Sequence, residues 1–121
     1  MDVNTVFNKL FEARDQVHYF HLQTKSYAEH KILQGFYESW IELADRFIET
    51  YQGQFPCIQG LVTITLKPYM IGESLKYLKA VLFFLQSDAR KLITISNTDL
   101  NAVLDEMQIL TSQTIYLLGL R

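Results

Sequence analysis

The stretch QGQFPCIQGLVTITLKPYMIG, Gln52–Gly72, interrupts a chain that is otherwise patterned for helices. Gly53, Pro56, Gly60, Pro68 and Gly72 fall within it and break any helix that enters. Its centre, LVTITL (Leu61–Leu66), alternates like a short strand. A lone strand has no partner in this chain, so the stretch reads as an extended link whose edge is free to pair with another subunit. So long a link lets the helix after it start at the far end, parallel to the helix before it.

Helical spacing organises the sequence on either side. A first helix is expected from about Asn4 to Gln23, with Phe7, Leu10, Phe11, Val17, His18 and His21 on one wide face and Arg14 inside that stripe. A second opens on Ser26 and Glu29, a Ser-x-x-Glu capping box. It carries His30, Leu33, Tyr37, Trp40, Ala44, Phe47 and Tyr51 before ending near Gly53. The few residues between these two helices make them antiparallel neighbours. A third helix is expected over Glu73–Ile95, with Leu75, Leu78, Leu82, Leu85, Ala89 and Leu92 on one face. A fourth starts at Ser96 or Asn97, with Ser96 and Asp99 as a second capping box, and runs to Gly119. Four amphipathic helices with one long crossover between the second and third predict an all-α, ferritin-like antiparallel four-helix bundle, one domain over residues 1–121.

Composition narrows the function classes. Of 121 residues, 49% are hydrophobic and 20% charged, a globular balance. The net charge of −2 and the lack of a basic block argue against nucleic acid as a partner. The longest uninterrupted apolar run, Ala80–Leu85, is too short to span a membrane. The charged start MDVNTVFNKLFEARDQ does not read as a signal peptide, and the single cysteine, Cys57, suits a reducing compartment, so a cytoplasmic location is expected. For Cys57 itself a buried, inert role is expected.

All three histidines fall in HYFHLQTKSYAEH, His18 to His30. His21 closes the first helix and His30 opens the second, so a short hairpin brings them together as a pair of candidate metal ligands. Iron chemistry with oxygen or peroxide also calls for carboxylates, because hard oxygen ligands hold the oxidised metal. The second helix has a polar series, His30, Gln34, Glu38, Glu42, Asp45 and Glu49, and in it Asp45 and Glu49 can aim at one point. His30 and Asp45 stand fifteen residues apart, about 22 Å along a helix axis. One chain cannot bring them to one ion. Two chains can, if the second helix packs antiparallel on its own copy about a two-fold axis, giving two shared sites per dimer.

These residues resemble the Dps family, the ferritin-like mini-ferritins of bacteria. HKILQGFYESWIELADRFIE (His30–Glu49) is similar to its pattern: a histidine opening the second helix, then an Asp-x-x-x-Glu fifteen residues later, here Asp45 and Glu49. His18 has the family's usual twelve-residue spacing to His30. His21 has the better local context, because HLQ resembles the family's His-Trp-Asn, and it is preferred. The stretch FHLQTKSYAEHK also looks like a compact Dps-like family of phages and other viruses. The resemblance implies a metal site shared between subunits, with His21 and His30 from one and Asp45 and Glu49 from the other. It further implies oxidation of ferrous iron with peroxide or oxygen, and a twelve-subunit shell.

The sequence departs from that pattern in places. Gln34 stands where the family usually has an acid, and an amide is a poorer, uncharged iron ligand; Glu38 or Glu42 are the nearby acids that could compensate. No Glu-x-x-His occurs, which argues against a di-iron site inside a single bundle. The alternative expectation is a ferritin-like structural or assembly protein without catalysis, such as a virion component. Trp40, beside the polar stripe, reads as core.

Overall fold

The computed structural model describes residues 2–56, 60 and 63–120. It contains α1 (Val3–Gln23), α2 (Tyr27–Gln54), α3 (Glu73–Gln86), the single turn α4 (Asp88–Lys91) and α5 (Thr98–Leu118). The fold is an all-α helical bundle, with no strand among the described residues. α1 starts on Asp2, whose carboxylate accepts from the Thr5 N–H at 2.9 Å, filling one of the open donors of the first turn.

α1 packs on α2, α2 on α5, and α5 on α3, while the backbones of α1 and α3 approach each other at few points and meet through side chains such as Phe20 and Tyr77. The apolar stripes meet in one core: Phe7, Leu10, Val17 and Phe20 from α1, Leu33, Phe36, Trp40 and Phe47 from α2, Leu78 and Leu85 from α3, Leu100, Leu104 and Met107 from α5. Trp40 is fully buried and stacks on Phe36 at 5.1 Å between ring centroids. Its indole N–H donates to the Leu10 carbonyl at 2.9 Å, the partner that a buried N–H needs.

Hydrogen bonds between elements show which ends lie together. Gln54 Nε2 donates to Asp99 Oδ2 at 2.7 Å, joining the end of α2 to the start of α5. At the other end, the Tyr69 hydroxyl donates to Glu29 at 2.6 Å and the Ser74 hydroxyl to the same carboxylate, joining the start of α3 to the start of α2. Gly72 caps α3 at φ +86°, a left-handed conformation that glycine adopts without a Cβ clash.

Several expectations are corrected. The third helix does not run from Glu73 to Ile95; it stops at Gln86, and Ser87 stands at φ −120°, ψ −84° before the short α4. The Ser87 hydroxyl donates to the Phe83 carbonyl at 2.6 Å, local competition of the kind that makes serine a poor residue inside a helix. Arg90 secures the break. Its Nε donates to the Leu85 carbonyl at 3.2 Å, and its other nitrogens reach Asn101 Oδ1 at 2.9 Å, Asp105 at 2.7 Å and Gln108 on α5. The Ser96–Asp99 box does not form. Asn97 is the cap residue of α5 without a side-chain capping bond, because its Oδ1 accepts from the Thr94 N–H at 2.9 Å.

The expected strand LVTITL is absent over Thr63–Leu66, while Leu61, Val62 and Cys57 lie outside the described residues. Side-chain amides supply what a partner strand would. Gln16, buried on α1, donates through Nε2 to the Lys67 carbonyl at 2.9 Å and accepts from the Lys67 N–H at 2.7 Å. Gln23 Oε1 accepts from the Tyr69 N–H at 2.7 Å. A primary amide carries the same donor and acceptor types as a peptide unit, so a glutamine serves an extended backbone as a strand would.

Candidate functional site

The hairpin between α1 and α2 is three residues long, Thr24–Ser26. Thr24 N–H closes α1 on the Phe20 carbonyl at 3.0 Å, and Ser26 Oγ accepts from the Glu29 N–H at 3.1 Å to open α2. This tight turn sets His21 against His30. The two imidazoles stack with centroids 3.7 Å apart and planes inclined by 20°. His21 Nδ1 donates to the main-chain carbonyl of His30 at 2.7 Å, and His30 Nδ1 donates to that of His21 at 2.8 Å. The His21 carbonyl sits in the last turn of α1, where no helical N–H remains to serve it, so His30 fills an open position.

Carbonyl oxygens only accept, which places a proton on both Nδ1 atoms by hydrogen-bond logic. In the neutral form of each ring the lone pair then lies at Nε2, the arrangement in which a carbonyl at the other nitrogen orients a metal-binding histidine. Each imidazole thus has one further ring nitrogen to offer a metal ion.

His18 lies outside this pair. It is exposed and stacks on Tyr37 at 4.4 Å, with its centroid 6.0 Å from that of His21. The expected placement of His18 on the buried face of the first helix is thus corrected: that face passes through Val17, Phe20 and His21.

Asp45 and Glu49 lie on α2, exposed, without an ion pair or hydrogen bond among the described residues. Glu42 is exposed beside them. Gln34 is engaged, with Nε2 donating to Glu38 Oε1 at 3.0 Å. Among the described residues, no three His, Cys, Asp or Glu side chains come together within one chain in a way that could hold a metal ion. A single copy joins His21 to His30 and leaves Asp45 and Glu49 far along the same helix.

Glu29 is the residue whose role sequence reasoning missed. Its backbone takes the expected Ser26 cap, but its carboxylate does not return to the Ser26 N–H as a capping box would. That N–H goes to Thr24 Oγ1 at 3.2 Å. The carboxylate instead accepts from the hydroxyls of Thr24 at 2.5 Å, Tyr69 at 2.6 Å and Ser74. Burial pushes the Glu29 carboxyl up, but the hydroxyls of Ser74, Thr24 and Tyr69 outweigh it and hold the group below its ordinary range. Burial and the neighbouring Glu29 carboxylate push the Tyr69 phenol up. In the bundle, burial and the Glu12 carboxylate, which accepts from its hydroxyl at 2.8 Å, push the Tyr77 phenol far above its usual range. Trp40 is core, as its burial shows. No helix among the described residues is long and apolar enough to cross a membrane.

Residues 21–118 match the family described as "Family of unknown function (DUF5856)", and the chain belongs to that family. No curated protein and no solved structure matches the chain. The match begins at His21, so the stacked pair and the whole of α2 lie within the family's span while His18 does not.

Proposed function

We propose that this DUF5856 protein is a ferritin-like, Dps-like iron-binding protein that acts as a two-fold dimer through α2 and oxidises ferrous iron with peroxide or oxygen. The observation that carries the reading is the His21–His30 pair, in which both Nδ1 atoms are spent on carbonyls and both Nε2 atoms are left for a ligand. The ferritin-like topology is supported by the bonds of Ser74 and Tyr69 to Glu29, which bring α3 back to the end where α2 begins.

In the proposed dimer, His30 or His21 of one copy joins Asp45 and Glu49 of the other. A neutral imidazole and two carboxylates are a donor set that suits both ferrous and ferric iron. The antiparallel register that sets His30 opposite Asp45 also sets Lys31 opposite Ala44, one position from Asp45, and Tyr27 opposite Ile48, one position from Glu49. Lys31 makes no ion pair among the described residues, so it is available to an acid on a second copy. Glu38 meets its own copy near the axis, and like charges there oppose association until a cation offsets them. Two ferrous ions each give up one electron, and one peroxide accepts both as its O–O bond breaks to two hydroxides. The resemblance implies a twelve-subunit shell as the larger assembly.

A second reading is a bundle that keeps the dimer face and lacks catalysis, serving as an assembly component. The engagement of Gln34 with Glu38 favours it, since the bond occupies one of the two Glu38 carboxylate oxygens.

Anaerobic titration with ferrous iron, followed by peroxide, separates the two. Ferric absorbance that rises in the wild type and is lost in His30→Ala supports oxidation. Iron binding no stronger than that of the variant supports the assembly reading.

A further inference from the structure

A second feature lies at the same end of the bundle, outside the histidine pair. A cavity of about 640 Å³ opens between the start of α2, the start of α3 and the end of α5, within the size range of small-molecule sites. Its walls are mainly aliphatic, with Ile32, Leu75, Leu117 and Leu120 from the three helix ends and the C-terminal turn. Ile71, also lining it, is almost wholly exposed at 95%.

The polar residues of the wall are Ser26, Glu29, Tyr69 and Ser74, with Lys25 at the opening. Three neutral hydroxyls orient the Glu29 carboxylate, yet it makes no ion pair among the described residues. Lys25 is exposed and makes no bond to Glu29. Two carboxylate oxygens offer about four acceptor positions, and the hydroxyls fill three of them. An oriented negative charge, a spare acceptor position and an aliphatic wall together call for a ligand with a cationic N–H head and an apolar body.

We propose that this cavity binds a primary alkyl ammonium ion, its head on the Glu29 carboxylate and its chain between Ile32, Leu75, Leu117 and Leu120. The proposal is independent of iron, because neither His21 nor His30 lines the cavity.

The test compares octylamine, octan-1-ol and octanoate as ligands of the full chain, by calorimetry and backbone amide shifts at neutral pH. Octylamine is expected to bind saturably, about tenfold more tightly than octanol, the factor that one charge-assisted hydrogen bond supplies. Octanoate is expected to bind more weakly than either. Glu29→Gln should bring octylamine and octanol to the same affinity. Leu117→Trp, which fills the cavity from the exposed side of α5 and leaves the Glu29 bonds in place, should remove binding of all three with helical content unchanged. Octanoate binding as tightly as octylamine would assign the site to Lys25 and overturn the proposal. So would an absence of saturable octylamine binding to the wild type, or full affinity in Leu117→Trp.

Discussion

His21 and His30 are held by two hydrogen bonds that each end on the other's main chain, not on the other's ring. Each bond therefore survives truncation of the opposite side chain, and only the 3.7 Å stack is shared between them. His21→Ala and His30→Ala should each cost about 1–2 kcal/mol of stability, the worth of one such bond with its packing. The coupling in the double mutant should be smaller, about 0.5–1 kcal/mol, from the lost stack alone. Urea unfolding of the four proteins measures it. A coupling as large as either single loss would mean that the bonds depend on each other.

Glu29 predicts acid sensitivity at one end of the bundle. Its carboxyl is held below its ordinary value of 4.5 in the folded chain, so its contribution is fully present above that value and is lost as pH falls through the folded value. Wild type and Glu29→Gln should differ most in urea midpoint near neutral pH and converge as pH falls through the lowered folded value. A difference that grows on acidification would contradict the three-hydroxyl account.

Gly72 should resist replacement for a backbone reason. At φ +86° it caps α3 with open space where a Cβ would go, so no clash with neighbours accounts for a loss. Gly72→Ala should cost about 1–2 kcal/mol from the left-handed conformation alone. A neutral effect, read by thermal unfolding, would mean that the turn relaxes to negative φ.

Arg90 is expected to hold the broken end of α3 onto α5. Its partly buried side chain joins the Leu85 carbonyl to Asn101, Asp105 and Gln108. Arg90→Met keeps the aliphatic stem and removes the donors. A loss of roughly 1.5–3 kcal/mol is expected, the range for hydrogen bonds to a charged group, with faster amide exchange around Ser87 and α4. Unchanged exchange there would assign the break to Ser87 alone.

Residue by residue, the sequence carried the local rules and missed the long-range ones. Helical periodicity located α1, α2 and α5 to within a few residues, because each buries one stripe against its neighbours. The Ser26 cap was legible because it needs only a residue three positions on. The break at Ser87 was not, because Leu85, Ala89 and Leu92 continue a helical spacing across it. What tips the balance is a hydroxyl with a nearby carbonyl and an arginine whose partners lie on α5. Gln16 and Glu29 were hidden for the same reason. Their partners, Lys67, Tyr69 and Ser74, lie forty or more positions away, and no spacing rule reaches that far. At the candidate site, the closeness of His21 and His30 followed from a three-residue turn, whereas their stacked orientation depends on two carbonyls that have no sequence signature.

The proposed iron site takes its imidazole from one subunit and its carboxylates from another. Mixing two inactive variants tests it most directly. His30→Ala and the double variant Asp45→Ala/Glu49→Ala are each expected to lose peroxide-dependent ferric absorbance. Refolded together in equal amounts, they form mixed dimers in which one of the two sites is whole, so activity should return to about one quarter of wild type. A mixture that stays at the level of its parents, with mixed dimers confirmed by native mass, would contradict a shared site.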